Sequence, residues 1–474
     1  MGRLAVRRVQ HPVGQGGFHT AEILIRDARF RYVYDCGAKK PSAIDGPLER
    51  MTIGQDPVKY DWLVISSFDM DHFNGIDKFK KYGITFKKVF LPHLLEQEFL
   101  EWLLCCYLIE KRDAAGIAQA FRMLKAIARG DFGTVGVTEG AEPDGPVKLV
   151  RNSSTTSGGS SVGEVDLVYE VEEEDWMFRF YSREHRFAGL VATLFNDPLL
   201  KPLKDLIERA AATVRDDNIA DAEIDNILGE LFRVLTEPPP ATQDGNAQAV
   251  PDGDGSATPP TKAKARQNKA ARATAGNTGT GASSKPATVK KILSDAFDSL
   301  AEDGKRVFSD YNALSLCMYS GPRTELSRNR STFESTCMID GEEIGAASSA
   351  RPTRRVGWLG FGDIGFGDPK ALSALMKRFS SEFELARTKM VPHHGAQSNY
   401  GKELCELDRF FRLGPPDTLW VAAANPLSGY RHPDGIVVLE CQKRGIFKLV
   451  SEDTQTRIEE TIDAPFLVAL LGLY

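Results

Sequence analysis

The sequence predicts an α/β protein, and three patterns carry this prediction. Apolar and polar residues alternate over much of 4–34, which is typical of paired β-strands. Apolar residues recur at helical spacing within 97–129 and again within 203–235. Over 368–451, short helical and strand-like segments follow one another, as they do where helices cover a sheet. We therefore expect one α/β unit that carries helical insertions.

One stretch concentrates residues that can bind a metal ion. Residues 61–75 read D-W-L-V-I-S-S-F-D-M-D-H-F-N-G, and the apolar run 62–65 predicts a short buried strand. Asp69, Asp71 and His72 stand just after it. Carboxylate and imidazole groups packed this closely are costly to desolvate unless a cation lies among them. The alternative is a polar loop that follows a strand, because short motifs also occur by chance.

Further motifs occur on both sides of this stretch. The N-terminal part contains V-G-Q-G at 13–16 and D-C-G at 35–37. The C-terminal part contains G-W-L-G-F-G-D at 357–363, V-P-H-H-G at 391–395 and R-H-P at 431–433. In this order the motifs resemble the metallo-β-lactamase fold, and most closely the metallo-β-lactamase-like domain of bacterial DNA-uptake (competence) channel proteins. The resemblance covers roughly residues 8–92 and 305–445.

The resemblance implies an α/β fold of the αββα four-layer sandwich type, interrupted by insertions. Its two halves would be residues 1–92 and 288–474, separated by a mainly helical insert or cap with a β-hairpin at 93–236 and by a linker at 237–287. The linker contains almost no large apolar residue, so it cannot bury enough surface to offset the entropy of ordering it. We expect it to be disordered.

The resemblance also implies the residues of the site. The implied metal ligands are Asp69, Asp71, His72, Asp363, His393 and His394. The implied catalytic residues are Asp71, Asp363 and His432. Ser67 stands where the family has its first histidine, so a second metal site should be weak. We expect one or two ions of Zn²⁺ or Mn²⁺, because mixed oxygen and nitrogen ligands suit these metals.

Composition limits the partners and the compartment. The net charge of -6 argues against a protein that coats nucleic acid through a generally basic surface. The seven cysteines form no C-x-x-C motif and are odd in number, which suits a reducing cytoplasm. No stretch of about 18 uninterrupted apolar residues is available to span a membrane, and the N-terminus lacks a signal-peptide pattern. We expect a cytoplasmic protein without a membrane partner.

The function that the resemblance implies is metal-dependent hydrolysis of phosphodiester bonds, as in a nuclease acting on DNA or RNA. Two alternatives remain: a metallohydrolase of a small nucleotide or another ester, and a catalytically degenerate binding or scaffold protein. The basic residues within 262–285 make the linker a target for a protease that cuts after lysine or arginine. The charge pattern of the linker is typical of a passive solvated tether. Two alternatives remain: an arm that binds nucleic acid, and a tether that a partner protease cuts to release the activity in a bacterial antiviral defence system.

Overall fold

The computed structural model describes most of the chain. The described residues are 3–25, 28–54, 57–92, 96–110, 112–135, 147–152, 161–162, 165–171, 176–182, 185–186, 190–216, 218–236, 289–300, 314–323, 334–339, 342–344, 355–366, 369–400 and 404–465. The predicted linker at 237–287 lies outside them, so its predicted disorder stays a prediction.

The strands, in chain order, are β1 (Arg3–Gln10), β2 (Phe18–Ile25), β3 (Ala28–Cys36), β4 (Val58–Val64), β5 (Ile84–Phe90), β6 (Thr134–Val135), β7 (Val147–Asn152), β8 (Ser161–Val162), β9 (Val165–Val171), β10 (Trp176–Ser182), β11 (His185–Arg186), β12 (Cys317–Pro322), β13 (Glu334–Ile339), β14 (Glu342–Ile344), β15 (Gly357–Gly360), β16 (Ala386–Met390), β17 (Thr418–Ala423), β18 (Gly445–Val450) and β19 (Ile458–Pro465).

The α-helices, in chain order, are α1 (Asp45–Thr52), α2 (Met70–Phe73), α3 (Ile76–Lys81), α4 (Gln97–Ile109), α5 (Ala114–Ala128), α6 (Leu190–Leu194), α7 (Lys201–Arg215), α8 (Asp221–Thr236), α9 (Val289–Ser299), α10 (Pro369–Arg378), α11 (Ser380–Leu385), α12 (Leu404–Phe411) and α13 (Gly435–Arg444). Short 3₁₀ helices cover Pro41–Ile44, Pro198–Leu200, Pro392–Gly395, Gln397–Tyr400 and Thr454–Thr456.

Two mixed sheets contain nearly all of these strands. The first sheet has the order β14-β13-β19-β1-β2-β3-β4-β5-β6, and the second has the order β18-β17-β16-β15-β12-β10-β9-β7. In each sheet an antiparallel part continues into a parallel part, which begins at β3 in the first and at β15 in the second. Both sheets join strands from distant parts of the chain, because β1 pairs with β19 and β10 pairs with β12.

The hairpin expected in the insert belongs to the second sheet. Strands β9 and β10 pair with each other as predicted, but β10 also pairs with β12 along Trp176↔Pro322 to Tyr181↔Cys317. Residues 93–236 therefore contribute strands to the sandwich as well as helices outside it. Sequence periodicity indicates which residues form a strand, but it does not show that the neighbouring strand lies more than a hundred residues away.

The facing surfaces of the two sheets are joined by a core of aromatic residues. Trp62 of β4 packs with its ring centroid 4.9 Å from that of Phe178 on β10. Phe90 of β5 stacks on Phe180 at 4.7 Å. These side chains are almost fully buried, and each contributes roughly 1.5–3 kcal/mol by leaving water. The sheets therefore pack face to face.

Helices cover the outer face of each sheet. Alternate residues of a strand point to opposite faces, so Leu63 of β4 points away from the aromatic core and packs with Leu100 of α4 and Phe121 of α5. Helices α7, α8 and α9 contribute to the same apolar cluster, whereas α10 to α13 pack on the second sheet. The α/β prediction is confirmed, and the layers are compatible with a two-sheet sandwich. No helix in the described ranges is long and apolar enough to cross a membrane.

Candidate metal centre

The predicted site residues lie where neighbouring strands end. The residues 66–72 follow β4, Asp363 follows β15, and His394 lies in the short helix that follows β16. Asp35 stands near the end of β3, beside β4. Parallel strands bring their carboxyl ends to one edge of a sheet, and this edge is where ligands bind in many α/β proteins. The fold therefore brings together residues that are more than 300 positions apart in sequence.

Four of the six predicted ligands form one cluster: Asp71, His72, Asp363 and His394. Each offers a ligand atom, and all these atoms lie within 4.8 Å of one another. His72 Nε2 lies 3.0 Å from Asp363 Oδ1, and His394 Nε2 lies 3.4 Å from Asp71 Oδ2 and 3.7 Å from Asp363 Oδ1. His72, Asp363 and His394 are buried, and Asp71 faces a cleft. The cluster could hold a metal ion.

Three atoms of this cluster have no hydrogen-bond partner. They are His72 Nε2, Asp363 Oδ1 and His394 Nε2, and all three are buried. His72 Nε2 and Asp363 Oδ1 are close to each other, but their relative orientation is not that of a hydrogen bond. Buried polar atoms are nearly always paired, so three converging exceptions need an explanation. A cation bound between them would satisfy all three, and oxygen and imidazole ligands fit Zn²⁺ or Mn²⁺.

Both imidazole rings are held by their other nitrogen. His72 Nδ1 lies 2.9 Å from Asp35 Oδ2, and His394 Nδ1 lies 2.8 Å from the carbonyl oxygen of Ala423. Each of these oxygens accepts a hydrogen bond from Nδ1–H, and in the neutral ring this leaves the lone pair of Nε2 directed at the cluster. Metal-binding histidines are oriented in this way by carboxylates and carbonyl groups. Asp35 is fixed in turn, because Ser66 N and Ser66 Oγ each donate to it at 2.6 Å.

The charges of the cluster favour a cation. Burial alone would lower the pKa of His72, but the carboxylates of Asp363 and Asp35 outweigh burial and raise this pKa well above its usual value. Burial alone would raise the pKa of Asp71, yet His394 and His72 lower it to about 2. The same carboxylates that hold a proton on an imidazole attract a metal ion in its place. Proton and metal therefore compete for the two Nε2 atoms.

The backbone is strained around this cluster. Four residues other than glycine have a positive φ in the described part of the chain: Asp35 (60°), His393 (48°), His394 (54°) and Arg431 (56°). Such conformations cost about 1–3 kcal/mol each and tend to occur at functional sites. Here Asp35 contacts the ring of the ligand candidate His72, His394 is itself a ligand candidate, His393 lines the cleft, and Arg431 stands between two residues that line it. Among the described residues, the strained backbone is therefore concentrated around the cluster and its cleft.

Glycines of the predicted motifs allow a close approach to the loop 66–72, which contains the ligand candidates Asp71 and His72. A Cβ on Gly16 would lie 2.7 Å from the carbonyl oxygen of Asp71, and the φ of Gly16 is +147°. A Cβ on Gly37 would overlap the backbone of Asp71 and His72. The V-G-Q-G and D-C-G motifs thus supply backbone that packs directly against residues 71 and 72. No other residue fits these two positions without displacing the loop.

Two of the predicted ligands lie outside the cluster. Asp69 forms an ion pair with Arg112, which comes from the junction of α4 and α5. His393 Nδ1 lies 3.3 Å from Asn399 Oδ1, so of the neighbouring histidines 393 and 394 only the second joins the cluster. Ser67 is buried and accepts a hydrogen bond from Asp69 N at 3.1 Å. Asp69 and His393 therefore lie outside the four-residue cluster, and their binding of an ion stays a prediction.

The cluster opens into a cleft of about 730 Å³. Asp71, Asp363 and His394 line it, together with His432, the third residue predicted to be catalytic. The ring of His432 lies 6.4 Å from that of His393, and its buried Nδ1 has no hydrogen-bond partner. Burial lowers the pKa of His432. This histidine therefore faces the space in which a substrate would bind.

Sequence reasoning missed two residues of the site. Asp35 was visible only as part of a D-C-G motif, and its role in orienting His72 depends on the pairing of β3 with β4. Arg112 stands 43 positions after its partner Asp69, and nothing in its local sequence indicates that pairing. No protein-family model matches the chain, and no curated protein matches it.

Proposed function

We propose that the protein is a metal-dependent hydrolase of the metallo-β-lactamase fold that cleaves phosphodiester bonds in nucleic acid or in a nucleotide. The observation that carries the proposal is the convergence of His72 Nε2, His394 Nε2 and Asp363 Oδ1, all buried and without a hydrogen-bond partner, beside a large cleft. A permanent network would have paired these atoms, whereas a cation site leaves them facing one another until an ion binds.

The positions of the motifs support the proposed fold. The loops that contain V-G-Q-G, D-C-G, D-M-D-H, G-D and P-H-H-G come from separate strands, and they meet around one cluster between two packed sheets. Helices cover both sheets, as the proposed four-layer arrangement requires. The assignment rests on the sequence motifs together with this placement, because fold alone does not define an activity.

The residues of the chain have separable roles in the proposed reaction. Asp71, His72, Asp363 and His394 would hold one ion. A divalent ion there would polarise the phosphoryl group and favour deprotonation of a water molecule near neutral pH. Asp35 and the carbonyl of Ala423 keep both imidazoles in the ligand orientation. His432 faces the same cleft, where it can hydrogen-bond to an oxygen of the substrate phosphate.

A small nucleotide or another ester is the second candidate substrate. The cleft volume of about 730 Å³ lies within the range of small-molecule sites, about 300–1,000 Å³. A space of this size is large enough for a nucleotide or for one unit of a nucleic-acid strand. Parallel assays on single-stranded DNA, RNA, a cyclic dinucleotide and a simple aryl phosphodiester separate these candidates.

The helices on the outer face of the first sheet support a proposal that proteolysis controls the same site. Helix α8 ends at Thr236 and α9 begins at Val289, and the two helices contact each other in the layer that also contains α4 and α5. The junction of α4 and α5 lines the cleft. We propose that cleavage within 237–287 by a partner protease loosens this layer and releases activity, in a bacterial defence system.

Loss of single ligands tests the proposed function. Protein stripped with a chelator is assayed with Mn²⁺ or Zn²⁺ added back, and activity should return only with the metal. Asp363→Asn and His72→Ala should each abolish turnover, because each removes a ligand candidate. Asp131→Asn is the control, since this carboxylate pairs with Lys80 and Arg129 away from the cluster. Full activity of either ligand variant would refute the proposal.

A further inference from the structure

The carboxylate of Asp69 is already occupied by a cation of the chain itself. Its Oδ1 pairs with Nη2 of Arg112, and both side chains are mostly buried. Arg112 Nε also lies 3.1 Å from Glu110 Oε2. A guanidinium pairs well with carboxylates through several N–H donors, and it stays charged at any pH at which proteins are folded. Asp69 therefore holds a cation that does not dissociate from the protein.

Packing fixes the position of this guanidinium. Arg112 Cζ lies 4.5 Å from the centre of the Tyr107 ring, which is fully buried. The hydroxyl of Tyr107 donates a 2.6 Å hydrogen bond to the carbonyl oxygen of Phe68, the residue before Asp69. Tyr107 of α4 and Arg112, just beyond the end of α4, thus contact two adjacent residues of the loop 66–72. The contacts of Arg112 join the helical layer directly to the site.

The ion pair and the candidate ligands share one cleft. Asp69 and Arg112 line the same space as Asp71, Asp363 and His394. A fixed positive charge therefore lies beside the four-ligand cluster. Without it, the carboxylates of Asp69 and Glu110 would both face this space with no guanidinium between them. That arrangement would repel an anionic substrate.

We infer that the cleft takes a single divalent cation, at Asp71, His72, Asp363 and His394, and that Arg112 supplies the second positive charge for a bound phosphate ester. Asp69 then positions Arg112 and does not bind an ion. This inference rests on the proposed function for its ligand, a phosphate ester. Under this inference the segment 93–236 contributes a functional side chain to the site, because Arg112 lies between α4 and α5, the first two helices of that segment.

The first test counts metal ions. Wild-type protein equilibrated with Mn²⁺ should contain one ion per chain, measured by elemental analysis and by calorimetric titration. Asp69→Asn should keep that single ion with an affinity within about threefold of the wild type, because Asp69 is not one of its ligands; loss of a true ligand costs far more. Two tightly bound ions in the wild type, or loss of the ion in Asp69→Asn, would overturn the inference.

The second test measures binding of a phosphate ester to the Mn²⁺-loaded protein. The probe is a dinucleotide with a phosphorothioate linkage, which resists hydrolysis. Arg112→Gln keeps a donor for Asp69 but removes the charge, and it should weaken binding about tenfold or more while keeping one ion. Arg112→Lys should recover most of the affinity, because it restores the charge.

Arg122→Gln is the matched control. This arginine belongs to the same helical layer and pairs with Asp225 at the surface, and it does not line the cleft. Its change should leave ion content and probe binding unaltered. The inference would be overturned if Arg112→Gln bound the probe as tightly as the wild type. It would also be overturned if Arg112→Gln and Arg122→Gln lost the same amount of probe affinity.

The outcomes separate this inference from the proposed function. Ion counting and probe binding do not require turnover. If no phosphodiester is hydrolysed while the Arg112 results hold, the proposed function fails and the one-ion, guanidinium-assisted site stands. If hydrolysis occurs and two ions are bound, the function stands and this inference fails.

Discussion

Asp35→Asn tests how the candidate ligands are oriented. The carboxylate of Asp35 accepts hydrogen bonds from Ser66 N and Ser66 Oγ at 2.6 Å each and from His72 Nδ1 at 2.9 Å. Asparagine has nearly the same shape. It also tolerates the positive φ of 60° found at this position, as aspartate does. The substitution therefore changes charge and hydrogen bonding while the backbone can stay in place.

The expected effect is a weaker metal site with unchanged stoichiometry. Asparagine replaces one accepting oxygen with an NH₂ group, so His72 Nδ1 loses the strong acceptor that fixes its proton. The proton then moves in part to Nε2, where it competes with the ion. Loss of such a partner typically costs metal affinity about 10–100-fold, which is about 1.4–2.7 kcal/mol. We expect the Kd for Mn²⁺ or Zn²⁺ to rise by this factor.

Calorimetric titration at constant pH measures this change. The control is Asp61→Asn, whose carboxylate accepts a 2.7 Å hydrogen bond from Arg31 N and pairs with Lys87, outside the cluster. Asp61→Asn should bind the metal as the wild type does. An unchanged Kd for Asp35→Asn, or an equal rise for the control, would refute the reasoning.

Three further perturbations follow from the packing. Gly37→Ala should lower both the melting temperature and the metal affinity, because the added Cβ would overlap the backbone of Asp71. The control Gly229→Ala has open space around its Cβ and should raise the free energy of unfolding by about 0.5–1 kcal/mol. Similar melting temperatures for the two variants would contradict this prediction. Burial lowers the pKa of Lys389 from its usual 10.5 to about 7, so between these values the unfolded chain binds a proton that the folded protein lacks. The free energy of unfolding should therefore rise with pH across this window, by at most about 1.4 kcal/mol per pH unit. Lys389→Met should remove this pH dependence when unfolding is measured by denaturant titration. An identical pH dependence in both proteins would exclude this lysine as the cause. Brief trypsin digestion within 262–285 should give two fragments that co-elute on a sizing column. The reason is that β1 pairs with β19 and β10 pairs with β12, so strands on both sides of the cut are hydrogen-bonded to each other. Fragments that elute separately would show that these strand pairs do not hold the protein together.

The sequence was most informative where a feature is local. Alternating apolar residues in the first 34 positions predicted paired strands, and the structure has β1, β2 and β3 there. The helical pattern over 97–129 corresponds to α4 and α5, which are separated by a short junction. Strand and helix periodicity depend on neighbouring residues, so one sequence is enough to detect them.

Features that depend on distant residues could not be predicted. The position of His394 in the cluster involves the carbonyl of Ala423 on another strand, which contacts His394 Nδ1. The pairing of Asp69 with Arg112 requires helix α4 to pack beside the loop 66–72. The placement of β10 in the second sheet requires its partner β12, which lies more than a hundred residues later in the chain. Each outcome depends on tertiary packing, which spacing along one chain does not encode.

The most direct test of the metal site is anomalous diffraction from crystals grown with Mn²⁺ or Zn²⁺. We predict one anomalous peak per chain, lying between His72 Nε2, His394 Nε2 and the carboxylates of Asp71 and Asp363. The pair of Asp69 and Arg112 should remain intact in the same crystals. Absence of a peak among these four side chains, at metal concentrations that saturate binding in solution, would contradict the proposed metal centre.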